Sequence, residues 1–473
     1  MQSDTYFNIT SIGWDALLIE GMLDRIQRQS KIRFTHIVLT DDDAAVLKKK
    51  TPRPDVFPIR KIRSDPLPSP DLDLLAALET DGVPTIHNMI LGDRVVCKLP
   101  RSDALSYATL LAQRIASILK DTKPDAVIGG FDSLHAGIGL AVCRSLGIPW
   151  VAMTFTTIPK GCMAFCDQIC PDAQYDIPRP IDESLKSEAR AAIEAFESRR
   201  MKTPAHVSSH SLDMVLAKLP THLAIVIKRS VQALDGSLDR FSTQSPMRIA
   251  LQYIRKRCNT ILLPDSLLIR QPSDDRFALF TLHMQPESSI DAWAPFFANQ
   301  FHLIGQIVRA MPPDMKLLVK LHISDGDNYS PRQLRQIAAL PGVELVHPTA
   351  SSRDFVDRAD LVFGIQGTIC LESALLGKPV LMFGESPYLH FPSVERVDRI
   401  TDLPMQIRAA IAKPKPSRKE ILDAYAKYLS RFMPARYNDW TESLADEDVA
   451  KFAKCFIRLR EHLLVSPSVS VST

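Results

Sequence analysis

The amino-acid sequence predicts an α/β protein with two parallel-sheet domains, a helical connector between them and helices at the C-terminus. Near both ends of the chain, short apolar runs alternate with segments of helical periodicity, whereas apolar residues in the middle recur at helical spacing. The length of 473 residues also exceeds what one ordinary hydrophobic core spans. We therefore assign a first α/β domain to residues 1–170, a basic connector to 171–273, a second α/β domain to 274–412, and C-terminal helices with a disordered tail to 413–473.

The composition is typical of a globular protein, with 45% apolar and 23% charged residues. A net charge of +3 is too small to indicate nucleic-acid binding and favours an ordinary solvated surface. No stretch approaches the ~20 apolar residues of a membrane span. Because the polar start "MQSDTYFNIT" has no signal-peptide core, we expect a cytoplasmic protein whose eight cysteines are reduced.

Three of these cysteines, Cys162, Cys166 and Cys170, are spaced four residues apart. A helix would place them on one face, but structural zinc prefers cysteine pairs with shorter gaps and needs a fourth ligand. We therefore expect buried or idle thiols rather than a metal site.

The first domain shows a buried strand in "THIVLTDDD", which starts at Thr35. Further along, apolar residues at helical spacing end at Lys123 and Pro124, a short strand covers 126–128, and a helix from about 138 to 146 stops at Gly147. The loop "GGFDSLHAG" separates that strand from that helix. Strands and helices that alternate in this way predict a parallel sheet covered by helices.

The connector carries basic clusters, including "SRRMK" at 198–202, "KRS" at 228–230 and "IRKRC" at 254–258. A solvated helix face is the favoured interpretation of this pattern. The alternative is a patch that faces an acidic glycan or the anionic inner surface of a membrane.

In the second domain, strand and helix alternate again. Strands are predicted at 277–284, 316–322, 343–347, 360–364 and 379–384, and helices at 291–311, 330–340 and 351–359. Ser330 is the expected cap of the second of these helices, with Pro331 at its first position.

The stretch "GIQGTICLESALLGKPVLMFG", from Gly364 to Gly384, places a loop and a very short helix after a strand. Ligands of open parallel sheets bind at such strand ends, and Gly364 and Gly367 let the backbone approach a ligand closely. The amides near Thr368 suit a phosphate, because the first N–H groups of a helix lack partners. The alternative is a tight turn in which the glycines serve geometry only.

Glu372 follows in the same short helix. If Thr368 caps the helix, a capping box needs Glu or Gln at position 371, so Glu372 is one residue late for that role. We expect Glu372 in the first turn, where it can accept hydrogen bonds from ribose hydroxyls. A favourable contact with the helix dipole, worth about 0.3–1 kcal/mol, is the structural alternative.

Four ordered segments of the second domain resemble the capsule polysaccharide biosynthesis family, whose members are similar to bacterial Kdo transferases. They are "LHMQPESSIDAW" (282–293), "LLVKLH" (317–322), "VELVHPTASS" (343–352) and "IQGTICLESALLGKPVLMFG" (365–384). The segment "PDAVIGGFDSLHAGIGLAVCRSLGIPWV" is similar in style to the family's first domain, and the connector is not covered. The resemblance implies a GT-B-like fold, with two Rossmann-like domains facing a cleft. It also implies a metal-independent glycosyltransferase without a cofactor, which moves a sugar from a nucleotide-activated donor to a surface polysaccharide or glycolipid.

The resemblance also implies a set of site residues. Lys320 and His322 would meet the donor phosphate, His322 with a catalytic role, and Glu372 would complete the nucleotide site. The further donor-binding positions are Gln285, Glu287, Ser288, His347, Gln366, Gly367 and Thr368. One departure is Ile323, where the family has proline after the histidine.

Sugar transfer requires stabilisation of the leaving phosphate and, in an inverting enzyme, a base for the acceptor hydroxyl. The first domain offers Asp132 and His135 at one strand end and Asp15 and Glu20 at another, and we rank the first pair higher. His135 could equally make only a structural contact at a helix start. A retaining enzyme would need another arrangement, such as a carboxylate nucleophile.

Three other functions stay open at this point: a UDP-sugar 2-epimerase-type isomerase, a non-catalytic polysaccharide-assembly protein, and a teichoic-acid-type glycerophosphotransferase. The expected partners are a CMP- or UDP-linked sugar donor and a glycan or glycolipid acceptor, with no nucleic acid.

Overall fold

The computed structural model describes residues 6–13, 20–50, 55–62, 65–198, 212–262, 265–322, 329–435 and 445–465. The chain forms two compact units. Unit 1 comprises residues 1–180, 232–244 and 430–473, and unit 2 comprises 181–231 and 245–429.

Unit 1 is built on a six-stranded sheet with the strand order β3-β2-β1-β4-β5-β6. The first five strands pair in parallel, and the edge strand β6 runs antiparallel to β5. The strands are β1 (Phe7–Ile12), β2 (Ile32–Thr40), β3 (Asp55–Arg60), β4 (Ala126–Gly129), β5 (Trp150–Thr157) and β6 (Lys160–Cys166). The helices are α1 (Glu20–Gln29), α2 (Asp41–Lys50), α3 (Leu72–Ala77), α4 (Ile86–Gly92), α5 (Arg101–Thr122) and α6 (Leu134–Leu146).

Two local differences from the sequence prediction occur in unit 1. Helix α6 begins at Leu134 because the Ser133 hydroxyl accepts a hydrogen bond from the N–H of Ala136 and caps it. The three cysteines do not share a helix, since Cys162 and Cys166 lie in β6 and Cys170 lies in the loop after it. All eight cysteines of the chain are free thiols.

Unit 2 is built on a seven-stranded, fully parallel sheet with the order β13-β12-β11-β8-β9-β10-β7. The helices that precede the sheet are α7 (Glu183–Glu197), α8 (Leu212–Leu234) and α9 (Pro246–Ile261). The strands are β7 (Leu268–Ile269), β8 (Phe277–Thr281), β9 (Lys316–Lys320), β10 (Val343–Val346), β11 (Leu361–Gly364), β12 (Val380–Met382) and β13 (Val394–Arg396). The remaining helices are α10 (Ser288–Asp291), α11 (Gln300–Ala310), α12 (Pro331–Ala338), α13 (Ser352–Arg358), α14 (Thr368–Leu375), α15 (Leu403–Ala412) and α16 (Arg418–Ser430).

Both sheets have the strand order of a Rossmann fold, which confirms the predicted fold class of two Rossmann-like parallel-sheet domains. The winding reverses between β1 and β4 in unit 1 and between β8 and β11 in unit 2. Such a reversal leaves a crevice beyond the carboxyl ends of the two strands, where open α/β sheets bind their ligands.

The helix predicted over 291–311 is wrong as a single element. The chain instead forms the short α10, a 3-10 turn at Pro295–Phe297 and then α11. Asn299 starts the last of these, since its side chain accepts a hydrogen bond from the N–H of His302. The predicted cap Ser330 is confirmed, with Pro331 at the first helical position. The Ser330 hydroxyl accepts a hydrogen bond from the N–H of Gln333, and the Gln333 side chain accepts one from the N–H of Ser330, which completes a capping box.

The segment 232–244, which comprises the last residues of α8 and most of the loop before α9, belongs to unit 1. Its Asp239 carboxylate accepts a hydrogen bond of 3.0 Å from Arg60 at the end of β3, and both side chains are buried. Within the described residues, no helix combines the length and the apolar character needed to cross a membrane.

The C-terminal helix α17 (Asp446–Val465) completes the core of unit 1. Its Phe456 packs against Phe34 of β2 and Phe165 of β6, with ring centroids 5.8 and 5.1 Å apart. Asp446, at the start of α17, pairs with Arg25 of α1 at 2.6 Å.

Candidate functional site

The reversal point of the unit 2 sheet brings together His283, which follows β8, and Gly367, which follows β11. The N–H of His283 donates to Gln300 Oε1 at 2.7 Å, and Gln300 Nε2 donates back to the His283 carbonyl at 3.1 Å. A Cβ atom on Gly367 would lie 3.0 Å from His283 Cε1. The histidine is therefore fixed by its backbone, and its ring lies directly against the glycine.

Gly367 is also the residue at which α14 begins. It occupies the N-cap in an extended conformation, and the helix has no acidic residue in its first turn. Among the described residues, no side chain caps this helix. The first-turn amides are therefore suited to an anionic ligand, because they lack intrahelical partners and lie at the positive end of the helix dipole.

Glu372 is the fifth residue of α14, so the expectation that it lies in the first turn is wrong. The reason is that Gly367 takes the N-cap, which moves the helix start back by one residue. Glu372 is buried, with 7% of its surface exposed. Burial, and then the nearby Glu372 carboxylate, raise the pKa of Cys370 to about 12.

Lys320, the last residue of β9, is 5% exposed. Its Nζ donates to the carbonyl oxygens of Leu321 at 3.3 Å and Pro348 at 3.0 Å. Burial lowers its pKa from 10.5 to about 8. In the part of the chain that the structure describes, no carboxylate lies within ion-pair distance of this ammonium group, so its two hydrogen bonds engage N–H donors without balancing the charge.

His322 and Glu287 extend the same group of side chains. Burial lowers the pKa of His322, Glu287 opposes this shift, and the nearby His283 and Lys320 add to it. Glu287 Oε2 lies 3.7 Å from His283 Nδ1. Two histidines, a lysine and a carboxylate thus share the carboxyl ends of the adjacent strands β8 and β9, and we name these four residues the switch-point cluster.

His283 is the member of this cluster that the sequence interpretation missed. The sequence feature that could have identified it is its position at the end of an apolar segment, "FALFTLHM". Spacing could not reveal its contact with Gly367, because 84 positions separate the two residues in the chain.

Three further predicted donor-binding residues lie close to the switch-point cluster. Gln285 donates to the carbonyl of Ala298 at 3.0 Å, so its amide helps to hold the loop after β8. Ser288 is the first residue of α10. Gln366 is buried, its N–H lies 3.5 Å from His283 Nε2, and its side-chain amide donates to the Glu385 carbonyl.

His347, at the end of β10, belongs to a different set of contacts. Its Nδ1 accepts from the N–H of Thr349 at 3.1 Å and lies 3.2 Å from Arg270 Nη1. Its Nε2 lies 3.5 Å from Asp265 Oδ1. Because Nδ1 acts as the acceptor, the proton of a neutral ring is placed on Nε2, toward that carboxylate. This geometry ties His347 to the edge strand β7 rather than to the switch-point cluster.

In unit 1, Asp132 and His135 lie beyond the end of β4. Asp132 Oδ2 accepts a hydrogen bond of 2.5 Å from Arg94. His135 is buried in the first turn of α6, with Nε2 3.0 Å from Ser133 Oγ. Burial lowers the pKa of His135 to about 4, against the opposing effect of Asp93 and Asp132, so its ring is neutral at pH 7.

The ring of His135 lies against Gly13, the residue after β1. A Cβ atom on Gly13 would lie 2.0 Å from His135 Nε2, and the backbone there has a φ of +81°. A glycine therefore contacts a histidine at the reversal point of each sheet, Gly13 with His135 in unit 1 and Gly367 with His283 in unit 2.

The other predicted positions lie outside what the structure describes. Asp15 and Ile323 fall in undescribed segments, and the side chain of Glu20 is likewise not described. Among the described residues, no group of three or more His, Cys, Asp or Glu side chains is placed to hold a metal ion.

No protein-family model and no curated protein matches the chain. Among solved structures, it is similar to the UDP-GlcNAc 2-epimerase from Neisseria meningitidis bound to UDP-GlcNAc, at 12% identity over 97% of this chain and 100% of that one, with a TM-score of 0.30. It is also similar to the KpsC β-Kdo 2,7 transferase from Thermosulfurimonas dismutans, at 14% identity over 73% and 90%, with a TM-score of 0.34. The similarity to the UDP-GlcNAc 2-epimerase from Methanocaldococcus jannaschii is 12% identity over 88% of this chain and 97% of that one, with a TM-score of 0.25.

Proposed function

We propose that the protein is a glycosyltransferase that takes a sugar from a nucleotide-activated donor and adds it to a surface polysaccharide or glycolipid. The observations that carry this proposal are the uncapped start of α14, which lies against His283 at the reversal point of the unit 2 sheet, and the buried Lys320 at the end of the adjacent strand β9. The order of the four sequence segments that resemble capsule biosynthesis proteins agrees with it.

In this proposal, Lys320 and the first amides of α14 receive the phosphate of the donor. A buried ammonium whose contacts, among the described residues, are carbonyl oxygens gains strongly from an added anion, because opposite charges attract most where water is excluded. As the sugar leaves, negative charge grows on the phosphate, and these groups stabilise it most at that stage. Glu372 is the proposed ligand of the ribose hydroxyls.

The proposed base for the acceptor hydroxyl is Asp132, whose carboxylate Arg94 holds. His135 is the less accessible of the two candidates, because its ring is buried against Gly13 and Ser133, whereas the side chain of Asp132 is 14% exposed. We therefore give His135 a positioning role beside Gly13 and leave the proton transfer to Asp132.

A UDP-sugar 2-epimerase is the second candidate, favoured by the contact of Glu287 with His283 and by its effect on the pKa of His322. Such an enzyme needs an acid and a base near the sugar ring. Incubation with UDP-GlcNAc in the absence of acceptor separates the two functions. Release of UDP together with free ManNAc would support the epimerase, whereas a transferase is expected to turn over rapidly only when an acceptor is added.

The experiment that tests the donor site is calorimetry, with thermal shift in parallel, against CMP, UDP, GDP, ADP and CDP. We expect saturable binding of one nucleotide, which also raises the apparent stability of the protein by mass action. Lys320→Met should abolish this binding. If no nucleotide binds to the folded protein at millimolar concentration, the transferase proposal is wrong.

The Lys320→Met variant carries its own folding control. The folded-state pKa of Lys320 is lowered, so the buried charge costs stability fully below about pH 8, and this cost disappears as pH approaches 10.5. Removing the charge should therefore raise the free energy of unfolding at pH 7 by roughly 1–3 kcal/mol. A variant that is more stable and yet does not bind has lost a ligand contact, not its fold.

A further inference from the structure

Exposed large hydrophobic side chains are concentrated on two consecutive helices, α8 and α9. These helices carry nearly half of all such side chains in the described residues. The two helices contact each other, because the rings of His222 and Tyr253 lie 4.4 Å apart between centroids. Ordinary surfaces expose large apolar side chains singly, so a cluster of this kind indicates an interaction surface.

On α9, the exposed apolar residues form one stripe. Met247, Leu251, Ile254 and Ile261 are 73%, 56%, 56% and 64% exposed, and the exposed Cys258 continues the same spacing. Intervals of three and four residues place these side chains on one face of a helix.

On α8, Leu219, Leu223, Ile227 and Val231 recur at four-residue intervals and are also exposed. This helix therefore presents a second apolar stripe. We name the two stripes and their flanking basic residues the α8–α9 surface.

The charge of this surface has one sign. Helix α9 contains four basic residues and no acidic residue: Arg248, Arg255, Lys256 and Arg257. Residues 219–234 of α8 contain Lys228 and Arg229, again without an acidic residue. With 3.6 residues per turn, Arg248 and Arg255 lie along one border of the α9 stripe and Arg257 along the other.

We propose that the α8–α9 surface binds the surface of a bilayer that contains anionic phospholipid. An apolar stripe bordered by basic side chains matches the boundary between acyl chains and negative headgroups. A second copy of the chain is a poor occupant, because it would bring two basic helices together. The basic clusters alone favoured a solvated face, whereas the exposed apolar stripes beside them favour a membrane surface. This proposal does not depend on the proposed sugar transfer.

The test is co-sedimentation of the full chain with vesicles of phosphatidylcholine alone, and with vesicles in which phosphatidylglycerol replaces part of it. We expect binding only with the anionic lipid, and weaker binding as salt is raised. Leu251→Gln/Ile254→Gln should lower the partition coefficient about tenfold or more. Arg248→Gln/Arg255→Gln should lower it roughly fivefold per charge.

Leu91→Gln/Met405→Gln is the matched control. It removes two apolar side chains that are more exposed than Leu251 and Ile254, at 73% and 66%, from elsewhere on the protein, and it should bind vesicles as the parent does. The proposal is wrong if the parent does not bind vesicles or binds both kinds of vesicle equally. It is also wrong if the control variant loses as much vesicle binding as Leu251→Gln/Ile254→Gln does. A concentration-dependent dimer that Leu251→Gln/Ile254→Gln abolishes would also overturn the proposal, since a second copy would then occupy the surface. Nucleotide binding measured on the same variants should be unchanged, which keeps this test separate from that of the donor site.

Discussion

The Cα atom of Gly367 lies so close to the ring of His283 that a methyl group there would sit 3.0 Å from Cε1. The glycine ends the loop after β11 and the histidine follows the end of β8, so the contact spans the reversal point of the sheet. The φ of Gly367 is −73°, which any residue adopts. Glycine is therefore required here for close approach and not for backbone conformation.

Gly367→Ala should consequently affect the site more than the fold. The ring of His283 must move by a few tenths of an ångström, and we expect nucleotide affinity to fall about tenfold while the free energy of unfolding changes by less than about 1 kcal/mol. Calorimetric titration and chemical denaturation measure the two quantities. Gly305→Ala is the control, because a Cβ there meets no atom within 4 Å and the residue lies inside α11. Equal affinity losses in both variants would contradict the role of the contact.

Glu372→Gln should reduce nucleotide binding without lowering stability. The amide keeps the shape of the buried carboxylate but loses the charge that strengthens a hydrogen bond from a hydroxyl. We expect the parent to prefer a ribonucleotide over its 2′-deoxy form and the variant to lose that preference. Glu344→Gln is the control, because it removes a carboxylate on β10 that pairs with Lys316 of β9. This variant should keep the preference for the ribonucleotide. A Glu372→Gln protein with unchanged preference would remove the ribose assignment.

Nucleotide affinity should fall as pH rises through the pKa of Lys320, about 8. Below that pH the ammonium is already charged when phosphate arrives. Above it, binding must take up a proton, so affinity should drop by up to about tenfold per pH unit until the pKa of the complex is reached. Titrations from pH 7 to 9.5 in buffers of different ionisation enthalpy measure both the affinity and the proton uptake.

Lys320→Arg provides the matched comparison for this pH dependence. Its guanidinium stays charged throughout, so any binding that remains should not vary over the same range. A pH profile shared by the parent and the arginine variant would assign the titration to another group, such as a phosphate of the ligand.

Gly13→Ala should destabilise unit 1 by about 2–4 kcal/mol, because it combines a positive φ with a clash against His135. Gly147→Ala isolates the first effect, since its φ is +66° and no atom lies within 4 Å, and it should cost about 1 kcal/mol. Gly13→Ala/His135→Ala should recover the part of the loss that comes from the clash. If the double variant is no better than the sum of its single changes, the contact does not limit stability.

The sequence was informative wherever a local rule decides the structure. The capping residue Ser330, the glycine that stops α6 and the alternation that defines both sheets all depend on neighbours within a few positions. Local rules also failed in identifiable ways. Gly367 displaced Thr368 from the cap of α14, and Asn299 restarted a helix that apolar spacing alone made continuous.

The candidate site was less predictable than the fold. Lys320, His322 and Glu287 could be named because the family resemblance implies them, and each stands at or near a predicted strand end. His283 stands next to one as well, but its importance comes from Gly367 and Gln300, whose proximity only the folded sheet creates. His347 shows the converse, because a strand-end position did not reveal that Arg270 and Asp265 surround its ring.

The way in which α17 completes the core of unit 1 has a consequence for biosynthesis. Side chains of this helix, including Phe452 and Phe456, pack with Phe34 and Phe165 of the first sheet, whereas every residue of unit 2 precedes position 430. A ribosome delivers the chain from its N-terminus, so unit 2 can fold while the hydrophobic face of the earlier sheet still lacks its cover. The unit that is synthesised first is therefore the last to be completed, and a nascent chain that stalls before α17 should be a substrate for chaperones.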